Sequence, residues 1–272
     1  MLYKAKGNKG HTLAALLLLI AYAGPAPAFA WGRIGHRVAA RMAETRLTSV
    51  ARAAVRAILG PGISLADAST WADEQREVEE SYRWHFVNIP ISAERYDPRY
   101  CSPKGCVVSK IEEFMRALRN PKAERQQKEQ ALRFLVHLIA DLHQPLHVGD
   151  NNDQGGNRLQ VRFFGEGSNL HHVWDSLVID RHTKNENVWL WDFDFVANPR
   201  LAAEWSKGTP EDWATESLQV AKEAYQLPGE NKRIRSGARL GNEYYRFALP
   251  VIRTQLAKAG IRTAFVLNSI FH

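Results

Sequence analysis

The chain has 272 residues, with 36 Lys and Arg against 29 Asp and Glu, giving a formal net charge of +7. Hydrophobic residues make up 45% and charged residues 24%, a balance that excludes a disordered tail or a fibrous repeat and allows one sizeable core. No Lys/Arg run of five or more occurs, which excludes a dedicated polybasic arm, while the mild positive excess suits a polyanionic partner.

The chain starts with an address. Lys4, Lys6 and Lys9 form a basic region, Thr12 to Ala23 is apolar, and Ala28-Phe29-Ala30 has the small-x-small form of a signal-peptidase site. The apolar run is too short for a spanning helix. Residues 1–30 are therefore expected to be a cleaved signal peptide, leaving no membrane anchor and a periplasmic or secreted protein whose first residue is Trp31. The mature chain would hold 272 − 30 = 242 residues, and the loss of three Lys would lower its charge from +7 to +4. No Asn-x-Ser/Thr acceptor occurs, which leans toward a bacterial envelope or medium.

Arg33 to Arg46 has an amphipathic helical pattern with His36 near its start. Thr48 or Ser49 caps a second helix through Leu59, and Gly60-Pro61-Gly62 breaks it. A third helix is expected from near Asp67 or Ser69, carrying Trp71, Asp73 and Arg76. Trp84 to Pro90 reads as an extended segment. Cys101 and Cys106 follow; in an exported chain so near a pair reads as a disulfide, with zinc ligation the alternative. A helix from about Ser109 to Leu118 leads to a longer one, with Pro121 in its first turn.

That long helix ends in Phe-Leu-Val-His-Leu-Ile-Ala-Asp-Leu-His-Gln-Pro-Leu-His, residues 134–147. His137 and Asp141, four apart, share one helical face among apolar neighbours, Pro145 marks the helix end, and His147 follows. Asp150 to Asn157 reads as a loop and Leu159 to Phe164 as a strand, paired in a small hairpin and ended by Gly165 and Gly167. Leu170 to Asp180 is helical and carries His171 and Asp175, again at i and i+4. An aromatic region (Trp189, Trp191, Phe193, Phe195) reads as core or rim. Helices follow around Pro199–Lys207 and Pro210–Tyr225, and a final one is expected from about Ile234 to Lys258. The fold class is mainly α: one helical domain over 31–272 with a small β-hairpin.

Buried imidazoles and carboxylates need partners, and a metal ion is an economical one. Five His (His36, His85, His137, His147, His171) and three Asp (Asp73, Asp141, Asp175) lie in apolar or glycine-containing motifs, more than one catalytic zinc needs. His143 is expected to make a structural hydrogen bond, His172 to point elsewhere on its helix than His171, and His182 and His272 to lie at the surface or terminus.

Together, Trp31-x4-His36, Trp71-Ala72-Asp73, Trp84-His85-Phe86, the 137–147 run, Gly155-Gly156-Asn157 and Asn169-Leu170-His171-x2-Trp174-Asp175 resemble the zinc-dependent nuclease/3′-nucleotidase family of the S1/P1 type, within the phospholipase C/P1 nuclease superfamily. The resemblance implies three Zn²⁺ per chain. Asp73, His85, His137 and Asp141 would hold one, and His147, His171 and Asp175 a second. The third would take His36, Asp141 as a bridge, and the amine and carbonyl of Trp31, which fits the cleavage site read above. The implied reaction is hydrolysis of single-stranded DNA and RNA at the 3′ O–P bond to give 5′-phosphates, with 3′-nucleotides as further substrates for a monomeric enzyme. Asp73 would orient the attacking hydroxide and Arg76 would contact phosphate. Phe86 would stack a base, and Asn88 stands where some members use Asp on the base edge, which leaves base preference open.

Two rivals differ in chemistry. A zinc-dependent phospholipase C shares the helical fold, but Asp175 ends a motif that resembles His-x3-Glu in those enzymes. A non-catalytic zinc-binding envelope protein would need the ligands but not Arg76.

Overall fold

The computed structural model describes residues 31–75, 81–196 and 198–272. The expected signal peptide and Arg76 lie outside the described residues.

The molecule is built from helices, in order α1 (Arg33–Thr45), α2 (Ser49–Leu59), α3 (Leu65–Ala68), α4 (Trp71–Glu74), α5 (Val107–Arg119), α6 (Arg125–Leu142), α7 (Leu170–His172), α8 (Val178–His182), α9 (Glu186–Val196), α10 (Pro199–Trp205), α11 (Pro210–Ala224) and α12 (Asn242–Ile270). A π-turn, Val173–Leu177, joins α7 to α8. Two small sheets complete the fold: β1 (Ile89–Pro90) beside β2 (Gly149–Asp150), and β3 (Gln160–Phe163) between β4 (Glu166–Asn169) and β5 (Ala238–Leu240).

Local chemistry sets several boundaries. Thr48 accepts a hydrogen bond from Ala51 N and starts α2. Glu124 N donates to Gln127 Oε1 at the start of α6, and a Glu129–Arg133 pair at i, i+4 supports its first turns. Pro145 lacks an N–H and cannot continue α6, so the chain turns into a short 3₁₀ helix, Pro145–His147.

Helix α6 is central because both halves of the core pack on it. Its Phe134 and Leu135 join a core with Trp71, Trp84, Phe114 and Trp213. Its Ala140 joins a second with Trp31, Trp174, Trp189 and Tyr244. Helices α1 and α12 close the second core at short range: a Cβ on Gly260 would lie 2.6 Å from Met42 Cβ and 2.8 Å from Ala39 O. Cys101 and Cys106 form a disulfide under the start of α5.

The structure differs from the sequence expectation at several elements. The third helix is two short ones, because Ser64 and Asp67 form a reciprocal cap that starts α3 early and Ser69-Thr70 separates it from α4. Trp84 and His85 belong to a 3₁₀ turn, Ser81–His85, and only Ile89–Pro90 is extended, as a parallel partner of β2. Pro121 precedes α6 instead of sitting in its first turn. Gly165 turns the hairpin, but Gly167 lies within β4. The aromatic stretch forms α9, with Trp189 and Phe193 buried and Trp191 exposed. Residues 234–241 are not helix: Ala238–Leu240 pairs parallel to β3, so α12 starts at Asn242 and runs on to Ile270. His182 is not a surface residue; it is half-buried, with Nε2 2.7 Å from Asp192 Oδ2 and 3.1 Å from Arg253 Nη2.

Candidate metal centre

Seven elements deliver the eight predicted His and Asp side chains to one place. His36 comes from α1, Asp73 from α4, His85 from the 3₁₀ turn before β1, His137 and Asp141 from α6, His147 from the turn after it, His171 from α7 and Asp175 from the π-turn. Single π-turns in α-helices recur at functional sites, and this one brings Asp175 Oδ2 to 3.1 Å from His171 Nε2. All of these side chains except the half-buried Asp73 are buried.

Asp141 sits at the middle. Its Oδ2 lies 2.9 Å from His85 Nδ1 and 3.1 Å from His137 Nε2, while Oδ1 lies 3.5 Å from His36 Nε2 and 3.6 Å from His147 Nδ1. His36 and His137 stack with ring centroids 3.9 Å apart, and Asp73 Oδ1 is 3.6 Å from His137 Nε2. Burial works against a charged His137, yet the carboxylates of Asp141 and Asp73 outweigh it and its pKa is raised. The pocket therefore favours positive charge.

Main-chain carbonyls aim the rings. His137 Nδ1 donates to Ser69 O at 2.6 Å, His147 Nδ1 to His85 O at 2.8 Å and His171 Nδ1 to Gly155 O at 2.7 Å. A carbonyl can only accept, so each ring carries its proton on Nδ1 and presents Nε2 to the centre. Sequence reading missed this layer, and also Gln144, which is fully buried and whose Nε2 donates to Asp175 Oδ1.

The ligand atoms form three groups, each within 4.8 Å: His85, His137 and Asp141; His147, His171 and Asp175; and His36, Asp73 and His137. The second group is the expected set. In the third, Asp73 and His137 stand near His36 in addition to the expected Asp141. Trp31 is buried beside the centre: its Nε1 donates to Ala140 O at 2.8 Å, and Gly32 N donates to Asp175 O. His143 is outside the cluster and pairs with Ile139 O and Arg262, and His172 is exposed.

A cavity of about 180 Å³ opens over His85, His147 and His171. Phe86 and Asn88, singled out from the sequence, line it. So do Tyr82, Arg83, Gln154 and Asn157, of which only Asn157 belongs to a family-like motif. Tyr82 is exposed and meets Phe86 edge-to-face at 5.3 Å.

These residues fit divalent metal. The donors are imidazole and carboxylate with no thiol, the combination suited to zinc and similar borderline ions. Two carboxylates buried among imidazoles need compensating charge, and Asp175 Oδ2 is buried without a hydrogen-bond partner among the described residues.

Comparisons with known proteins agree with the geometry. The family described as S1/P1 Nuclease matches residues 31–272. Endonuclease 2 of Arabidopsis thaliana is 30% identical over 272 residues, covering 89% of this chain and 90% of that one. Nuclease P1 of Penicillium citrinum is 30% identical over 268 residues, 88% of this chain and 97% of that one. Nuclease S1 of Aspergillus oryzae is 35% identical over 158 residues, 54% of each chain.

Proposed function

The chain belongs to the S1/P1 nuclease family, and from that premise we propose that it is a three-zinc endonuclease that cleaves single-stranded DNA and RNA at the 3′ O–P bond, leaving 5′-phosphates. We assign it 3′-nucleotidase activity as well, and a periplasmic or secreted location after removal of residues 1–30. The single observation that carries the reading is the convergence of three His/Asp groups, of which His85, His147 and His171 line a cavity that also presents Phe86.

In this reading His85, His137, Asp141 and Asp73 hold one zinc, and His147, His171 and Asp175 a second. His36 and Asp141, with the amine and carbonyl of a processed Trp31, hold the third. Bound zinc would supply Lewis-acid charge and a water of lowered pKa. The protein's own groups do the rest. Asp73, the one ligand left half-buried, would orient the attacking water. Phe86 stacks on the base beside the scissile bond and Asn88 offers it a donor and an acceptor. Arg76 binds the phosphate. The narrow cavity takes a splayed base and not a stacked pair, which favours single strands. All the ligands come from one chain, so a monomer suffices, and the Cys101–Cys106 disulfide suits an oxidising compartment.

The test uses protein beginning at Trp31, loaded with zinc and incubated with single-stranded DNA with and without chelator. About three zinc by elemental analysis, with 5′-phosphorylated products that vanish on chelation, is the expected result. Metal without phosphodiester cleavage would overturn it and favour a phospholipase C or a metal-binding envelope protein.

A further inference from the structure

The sheet β4-β3-β5 has one face in the core and one in solvent. Val161 and Phe163 of β3 and Leu240 of β5 are buried, so Gln160, Arg162 and Arg239 point the other way and are exposed. The parallel register sets Arg162 directly beside Arg239. On its other side Arg162 faces Gly167, a position with open space around it. Like charges placed side by side on a sheet are destabilising. Neither arginine has an ion pair among the described residues; Arg162 donates only to Gly165 O, at 3.2 Å.

More charge surrounds the pair. Arg158 is exposed just before β3, and Arg233 and Arg235 are exposed just before β5, where they line a groove of about 790 Å³ with Ser236 and Ala238. Of the acids on these segments, Glu230 is paired with Lys232, and Glu166 sits at the hairpin turn. The face also starts at the catalytic cavity. Asn157 lines that cavity, its carbonyl accepts from Gln160 Nε2, and Gln160 O accepts from Gly237 N. Arg233 reaches back to Asn151 Oδ1 in the adjoining loop.

We propose that this arginine face is a track for the sugar–phosphate backbone of a single-stranded polynucleotide whose scissile nucleotide occupies the cavity. The proposal rests on the nuclease reading above. Guanidinium groups match phosphate by paired donors, and the glycine beside Arg162 leaves room for a backbone to lie flat. Repulsion between Arg162 and Arg239 is relieved when a phosphate lies between them. Phosphate contacts of this kind carry no sequence information, so the track would serve DNA and RNA alike. Its effect is on long substrates, because a dinucleotide fills the cavity without reaching the sheet.

The experiment compares the zinc-loaded protein with the double variant Arg162→Gln/Arg239→Gln. Binding is read by anisotropy with a labelled single strand of about thirty nucleotides carrying phosphorodithioate linkages, which keep the charge and resist hydrolysis. The expected result is about tenfold weaker binding at low salt and a log–log salt slope shallower by about 1.4, near 0.7 for each phosphate that an arginine no longer neutralises. Turnover of a dinucleotide stays unchanged. Arg116→Gln/Arg119→Gln, on the exposed side of α5, removes the same charge elsewhere and leaves binding intact. Unchanged affinity and slope in the sheet variant, or an equal loss in the α5 variant, would overturn the track. Failure of the unsubstituted enzyme to cleave the dinucleotide would instead count against the nuclease reading, and the binding comparison would still judge the track.

Discussion

Gln144 Nε2 donates to Asp175 Oδ1 at 2.5 Å, while Gln144 Oε1 accepts from Leu146 N at 2.6 Å. One amide thus locks the turn after α6 to the carboxylate that follows α7. The contact occupies Oδ1 and leaves Oδ2 to face His171 Nε2. Outer contacts of this type are worth roughly 10–100-fold in metal affinity. Gln144→Ala is expected to stay folded and to release about one zinc of three to a competing chelator, measured by elemental analysis after graded dialysis. Full retention would show that Asp175 is held by other means.

Asp141 touches four imidazoles, so it is the member whose loss should spread furthest. Asp141→Ala is expected to bind fewer than two zinc and to lose hydrolysis. Chelation of the unsubstituted protein should also lower its thermal midpoint strongly, since unpaired buried charge costs several kcal/mol. A midpoint that ignores chelator would mean that the cluster is stable without metal.

Arg262 of α12 is buried and holds four partners: His143 Nε2 at 2.8 Å, Trp205 O at 2.8 Å, both Glu216 oxygens, and the face of Trp213. Burial pushes its guanidinium pKa down and Glu216 opposes that. Arg262→Met should cost about 1–3 kcal/mol in urea unfolding, because His143 Nε2 and Trp205 O lose their donor, while the partly exposed Glu216 keeps Lys258. Zinc content of the folded variant should be unchanged, which separates a packing role from a ligand role.

Ser64, through its side chain, and then Arg37 hold the Asp67 carboxyl down at about 2. The unfolded value is near 3.9, so the folded state binds the proton less readily. The stabilisation is complete above pH 4 and is lost as pH falls toward 2. The side chain is about half exposed, so the effect is at most about 1 kcal/mol. Asp67→Asn should remove this share: its stability deficit, measured by urea titration at several pH values, should shrink between about pH 4 and pH 2. A deficit constant across that window would show that the ion pair is silent.

Phe86→Ala should raise KM for a dinucleotide about tenfold and leave zinc content alone, given about 1–3 kcal/mol per stacked base. Steady-state kinetics beside elemental analysis would check both. An unchanged KM would move the base to Tyr82, the neighbouring ring at the cavity mouth.

Most helices and the ligand spacing were legible because they are local. Thr48 capped α2 as its type requires, and His137 and Asp141 declared a shared face by number alone. What escaped was set by distant partners. Nothing near residue 238 announces a strand; β5 exists because β3, far back in the chain, offers it an edge. The break at Ser69-Thr70 frees a carbonyl for His137, and that need is written at residue 137, not at residue 69. His182 looked like a surface residue because Asp192 and Arg253 reach it only in three dimensions.

The carbonyls that aim His137, His147 and His171 have a consequence for how such a centre can age. Every residue type carries a carbonyl, so replacement at position 69 leaves that hydrogen bond intact as long as the turn keeps its path. Position 155 is restricted twice over: a Cβ there would fall 2.1 Å from Leu146 O, and the backbone has a φ of +59°. The carbonyl that fixes His137 is therefore indifferent to side-chain identity, while those that fix His147 and His171 come from a ligand histidine and a glycine that tolerates no side chain. A position such as 69 can change its side chain around a centre that barely moves, and a catalogue of side-chain motifs will undercount what holds it in place.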